Sequence, residues 1–273
     1  MSDAWLDPVR AALVAGTGPV RWWFRDDDAG WDDGALWALL DVFEDAGVGI
    51  DVAAIPMAVM YACGRELAAR RTDGLVHVHQ HGLAHTNHEA VGRKCEFGLS
   101  RGRASQAADI RRGRELLEDR LGAPIEPVFT PPWNRCLADT ADAVLAAGHV
   151  VLSRDLSAGC LARPGLVEVP VSIDWSSRRP AAPAARADAI AADIAAGGPV
   201  GVMLHHAVMD AADRHHLAAL LAVVTASPMA VPTTVLALAR RSVSPHTSST
   251  TCAVTQIVWP GRAPSWGRPS GWR

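Results

Sequence analysis

His81 and His85 stand four positions apart in the segment Gln80 to Asn87, and an unbroken carboxylate run, Asp26, Asp27 and Asp28, lies upstream of them. Two imidazoles and one carboxylate suit a divalent metal that keeps positions open for water and substrate, as in a hydrolytic rather than a structural centre. Gly82, directly after the first histidine, permits tight backbone turning. Neighbouring side chains at a strand end point to opposite faces, so two adjacent carboxylates suit one metal ligand and one general base. Asp32 and Asp33 read instead as caps of the helix that follows.

Further polar groups extend the chemistry. His205 and His206 form a pair in which one member suits a proton donor, because imidazole titrates near neutral pH. His79 and His88 flank the first two histidines and are placed to orient ligands or meet substrate. Trp133 and Asn134, in the loop Pro131 to Arg135, suit the lining of a sugar-sized groove. His77 and His149 read as satisfied core groups. His79 with His81 also makes the HxH pair of an amidohydrolase-like barrel, although such barrels place that pair on the first strand and an Asp after the last.

Seven apolar runs read as strands: 20–24, 49–55, 75–78, 127–130, 149–153, 166–171 and 199–204. Helical patterns lie between most of them, at 33–46, 57–71, 105–121, 137–147, 186–196 and 211–225, with Gly47, Gly122, Gly148 and Gly197 as stops. Strand and helix alternation predicts an α/β fold, a distorted (β/α)7-type barrel of parallel strands. The stretch 154–164 is too short for a helix, so the barrel is expected to be irregular there. Every polar cluster falls at the C-terminal end of a strand, the face on which barrel loops build a site.

At 273 residues, 49% hydrophobic and 20% charged with a net charge of -3, the chain fits one domain over 1–240. It lacks the basic field of a nucleic-acid binder. Five cysteines form no CxxC pair, so reduced thiols are expected. No apolar run is long enough for a membrane span, and the N-terminus reads as no secretory signal, which predicts a cytoplasmic location. Residues 241–273 turn Ser/Thr-rich and then aperiodic in Trp, Pro, Gly and Arg, the composition of a disordered tail.

FRDDDAG at 24–30, HGLAH at 81–85, FTPPWNR at 129–135, IDW at 173–175 and MLHH at 203–206 resemble, in order, the five motifs of the polysaccharide deacetylases, carbohydrate esterase family four. The resemblance spans about Val20 to His206. It implies a distorted barrel, Asp27 as catalytic base, and Asp28, His81 and His85 as ligands of a divalent metal. It further implies His205 as the catalytic histidine, Asp174 as the group that tunes it, and Trp175 as a wall of the acyl pocket. The first motif reads Arg-Asp-Asp-Asp where the family usually has Thr-Phe-Asp-Asp, so a frame on Asp26 and Asp27 stays open. So does the choice of His205 or His206 as acid, the other then meeting substrate. Thr130 occupies the place of the family's base-steadying arginine, for which Arg25 or Arg135 would substitute. Lys94, Glu96, Phe97 and Gly98 after the histidines point to a divergent bacterial branch.

The resemblance implies a metal-dependent deacetylase of an acetamido sugar in a glycan, glycolipid or glycoconjugate precursor. Zinc is the default ion, with cobalt, nickel or iron admitted by the same donors. A hydrolase of another carbon–nitrogen bond and a non-catalytic sugar-binding barrel are the alternatives.

Overall fold

Val20–Ala29 form β1, whose alternating side chains divide the molecule into an inside and an outside. Trp22 and Phe24 face an outer apolar layer, whereas Trp23 joins a separate inner cluster. The computed structural model describes residues 3–175 and 182–242. Along the chain, α1 (Asp7–Ala15) precedes β1, and α2 (Asp33–Ala46), β2 (Ile50–Ala54), α3 (Tyr61–Arg70) and β3 (Val76–His81) follow. Then come α4 (Arg103–Leu121), β4 (Val128–Thr130), α5 (Ala138–Ala146), β5 (Val151–Leu152), β6 (Val167–Glu168) and β7 (Ile173–Asp174). The chain continues with α6 (Pro183–Ala195), β8 (Val200–Leu204), α7 (Ala211–Ala226), β9 (Ala230–Pro232) and α8 (Val235–Ser242).

The strands pair in the order β6-β5-β4-β3-β2-β1-β8-β7, with β9 added to the start of β1, and every pairing is parallel. Parallel pairing demands crossovers, and the helices supply them on the outer face, with α1 against α6, α2 against α7, and α3 and α5 against α4. The result is a curled, distorted α/β barrel. One stretch of chain makes its seam: Val167 and Glu168 pair with β5, while Ile173 and Asp174 pair with β8. Between them Val171 N–H donates to Arg154 O at 2.8 Å and Ser172 N–H to Gly201 O at 2.9 Å.

Several elements depart from expectation. β1 runs five residues past Phe24, so the three aspartates lie within the strand rather than after it. β3 likewise reaches His81. β7, β9, α1 and α8 were not expected from the sequence. Gly47, Gly122, Gly148 and Gly197 do end helical segments, each with positive φ. The tail expected at 241–273 falls, beyond Ser242, outside the described residues.

α8 closes the N-terminal end of the barrel from within. Val235, Leu236, Leu238 and Ala239 are buried among Trp23, Val128, Val151, Val167, Val169, Val171 and Met203. Gly201 makes room for the Trp23 indole in this cluster, because a Cβ there would stand 2.6 Å from it. Asp51 of β2 accepts the Val235 backbone N–H at 2.9 Å, and burial raises its carboxyl to about 7. Among the described residues no helix is long and apolar enough to cross a membrane.

Candidate metal centre

The end of β1 departs from simple alternation. Its register against β2 shifts between Asp26 and Ala29, and Asp28 takes a φ of 73°. This irregularity separates the three carboxylates. Asp26 points outward to His206, Asp27 back along the inner face to Arg25, and Asp28 to the two predicted histidines. Asp26 is thus occupied by His206, and Asp27 and Asp28 are the carboxylates that face the two histidines.

Asp28 Oδ1 lies 3.2 Å from His81 Nε2 and 3.2 Å from His85 Nε2. The three candidate donor atoms all lie within 4.8 Å of one another. Yet Asp28 Oδ1 is buried and makes no well-aligned hydrogen bond. Three donors that converge without bonding one another fit a common centre between them, and the set of two imidazoles and one carboxylate suits zinc or a similar divalent ion. Burial alone would raise the Asp28 carboxyl, but His81, His85 and His205 bring it down to about 2. Burial, then the neighbouring His81, lowers His85 to about 4, leaving it the neutral imidazole that a metal requires. Burial opposes charge on His81 as well, but Asp28 and Asp27 raise it overall.

Supporting contacts fix each donor. His81 Nδ1–H donates to Thr130 O at 3.0 Å, which leaves Nε2, the nitrogen facing Asp28, free to ligate a metal. His79 lies a layer deeper, its Nε2 at 2.8 Å from Thr130 Oγ1, and burial holds it well below the ordinary histidine range. It takes no part in the triad, so the HxH arrangement is not formed. His85, with a φ of 54°, is held between two indoles, Trp133 at 4.4 Å and Trp31 at 4.8 Å between ring centroids. The turn joining the histidines closes on Glu96, whose buried carboxylate accepts from Leu83 N–H at 3.2 Å and Ala84 N–H at 2.8 Å. Glycine suits position 82, where φ is 62° and a Cβ would stand 2.6 Å from the Pro132 ring and against the Glu96 carboxylate.

Arg25 is fully buried and grips Asp27 with both arms of its fork, Nε to Oδ1 at 2.7 Å and Nη2 to Oδ2 at 2.9 Å. It also donates to Ser153 Oγ and Asn134 Oδ1, each at 2.8 Å. Arg25 thus stands where the base-steadying arginine was sought. Arg135 instead turns away to donate to Lys94 O at 2.8 Å. His206 is buried against Asp26, with Nδ1 at 2.7 Å from Oδ2 and its backbone N–H at 2.9 Å from Oδ1. Burial disfavours its charge, but Asp26 and the Trp31 carbonyl raise it to about 9. The expectation that His206 meets substrate fails, because the ring is locked in this outer pair. His205, partly exposed and acting on Asp28 electrostatically, is the pair member at the centre.

Three other expected substrate contacts are also relocated. Trp175 is 1% exposed, packed against Trp5 and under Arg186, and belongs to the outer core rather than to a pocket wall. Asn134 spends its amide on Arg25 and Met203, which makes it a support for the Arg25–Asp27 pair. His88 is exposed on the following loop, near Arg101. Asp174 ends β7 in register with Met203, two residues before His205. His149 is a buried core histidine whose Nε2 meets Gln80 Oε1 at 2.9 Å while its Nδ1 has no partner, and His77 is half-buried beside Glu126. Sequence reasoning missed Trp31, Ser153 and Met203. An indole directly after Gly30 in the first motif was the available signal for Trp31.

No protein-family model and no curated protein matches the sequence. Solved structures do match. A protein from Mycobacterium smegmatis assigned as a polysaccharide deacetylase is similar with a TM-score of 0.64 at 14% identity, over 87% of this chain and 96% of that one. A family 4 carbohydrate esterase from Streptomyces lividans, in complex with acetate, gives 0.50 at 17% identity over 77% and 89%. A family 4 pseudoenzyme from Bacillus anthracis gives 0.51 at 10% identity over 76% and 61%. At these identities the likeness is one of fold.

Proposed function

We propose, on a barrel with the fold of the family 4 carbohydrate esterases, that this chain is a divergent member of that family. In this reading it is a metal-dependent hydrolase that removes an N-acetyl group from an amino sugar in a glycan, glycolipid or glycoconjugate precursor. The observation that carries the reading is the convergence of Asp28, His81 and His85, with Asp27 clamped beside them by Arg25.

Asp28, His81 and His85 would hold the divalent ion, which when bound polarises the acyl carbonyl and lowers the pKa of an attacking water. Asp27 receives the water's proton on a carboxylate whose orientation Arg25 fixes through two hydrogen bonds. His205 gives a proton to the departing amine nitrogen, which amide cleavage requires because an amide anion is a very poor leaving group. Trp31 and Trp133 hold the His85 ring from both sides and present apolar faces on which a pyranose can rest. Zinc is the ion the reading favours.

A non-catalytic sugar-binding barrel competes, because a pseudoenzyme shares this fold. Metal content and acetate release, measured together, decide between them. The wild type should carry about one zinc per chain and release acetate from an N-acetylglucosamine oligomer or glycolipid. Asp27→Asn should keep the metal and lose roughly a hundredfold or more in rate. Metal bound without acetate released from any such substrate would establish the binding reading, and no metal would end the hydrolytic one.

A further inference from the structure

Beside Trp133, which contacts the His85 ring, three cations gather from two loops. Lys94 Nζ stands 5.9 Å from the centre of the Trp133 ring, which also contacts the His85 ring at 4.4 Å. Arg135 Nη1 donates to the Lys94 carbonyl at 2.8 Å, tying the second loop to the first. The Arg135 side chain is half-buried, and its Nε is buried without a hydrogen-bond partner. Arg93, exposed beside Lys94, completes the group.

Among the described residues none of the three makes an ion pair, although the chain as a whole carries a net charge of -3. Burial, and after it the nearby Arg93, lowers the Arg135 guanidinium, with Asp155 offsetting part of that repulsion. Gathering like charges costs free energy unless an anion joins them. A guanidinium next to an ammonium and a second guanidinium is a donor set that binds phosphate oxygens.

We infer that Arg93, Lys94 and Arg135 form a subsite for a phosphate ester, so that the substrate is a phosphorylated acetamido sugar lying across Trp133 with its acyl group at the metal centre. This rests on the deacetylase reading for the acyl end only. The phosphate end stands on the cluster itself. The chemistry is shared by a soluble sugar phosphate and a lipid-linked one.

Equilibrium binding separates the two claims, because it needs no turnover. Titration calorimetry on the zinc-loaded full chain should show N-acetylglucosamine 1-phosphate binding roughly tenfold or more tightly than N-acetylglucosamine. In an Arg93→Ala, Lys94→Ala double variant that preference should fall below about twofold, with metal content unchanged, since both side chains are exposed. A dodecyl-phosphate-linked N-acetylglucosamine in micelles identifies the source: tighter binding than the soluble phosphate marks a lipid headgroup, and equal binding a soluble sugar phosphate. Equal affinity for phosphorylated and neutral sugar, no binding of either, or a preference that survives the double variant would overturn the subsite. The last result would assign phosphate to the metal instead. Loss of acetate release alone, with the preference intact in the wild type, would count against the deacetylase reading and leave the subsite standing.

Discussion

Asp26, Asp27 and Asp28 show how three identical residues acquire three different tasks. Asp26 belongs to a buried pair with His206, in which both side chains are fully enclosed. The histidine is raised to about 9 from an ordinary 6.5, so the stabilisation is fully present below pH 6.5 and is lost as pH rises through about 9. The melting temperature of the wild type should therefore fall between pH 6.5 and 9.5 more steeply than that of His206→Gln. His206→Ala, which strands Asp26 in the interior, should cost about 3 to 5 kcal/mol in a denaturant titration at pH 7. The residue types needed for a metal centre were legible in the sequence, because HGLAH and the aspartate run are chemically unusual. The division of labour among the aspartates was not. Simple alternation assumes a straight strand, whereas the register shift and the positive φ at Asp28 re-aim one carboxylate. His206 was misjudged for a related reason: its partner lies 180 positions away, and nothing local shows which side of β8 turns outward.

At the level of elements, the site depends on loops that are fixed from outside the triad. Of six described non-glycine residues with positive φ, Asp28, His85, Trp133 and Asn134 all stand at or beside the centre. Such conformations persist only where surrounding contacts impose them. Glu96 supplies those contacts for the turn between the histidines, so Glu96→Ala should weaken zinc binding by roughly ten- to a hundredfold in a chelator competition. Glu96→Gln, which keeps an acceptor oxygen, should recover part of that loss. The longer elements were readable from periodicity, and α2 begins and ends where the pattern places it. β7 spans only two residues, too few for any period to register. β9 carries Pro232, a residue that argues against a strand unless the strand sits at an edge. α8 follows it at the point where the composition begins to change, so its apolar face was not assigned to the core.

Across the whole molecule, the barrel has one finished end and one working end. Leu238 and its neighbours in α8 fill the first, and Leu238→Ala should lower stability by about 2 to 5 kcal/mol while leaving zinc content unchanged in the folded fraction. Asp51 ties that helix to β2, and since its carboxyl is raised to about 7, its stabilisation is complete below the ordinary value near 3.8 and is lost as pH rises through 7. Asp51→Asn should flatten that part of the stability profile, as thermal melts at pH 4, 5.5 and 8 would show. Because α8 fills the finished end among the described residues, a substrate in the deacetylase reading enters, and its products leave, by the other end. On that reading, an acyl fragment that lingers after cleavage would block the doorway the next molecule must use. Acetate should accordingly act as a competitive inhibitor, raising KM without changing kcat.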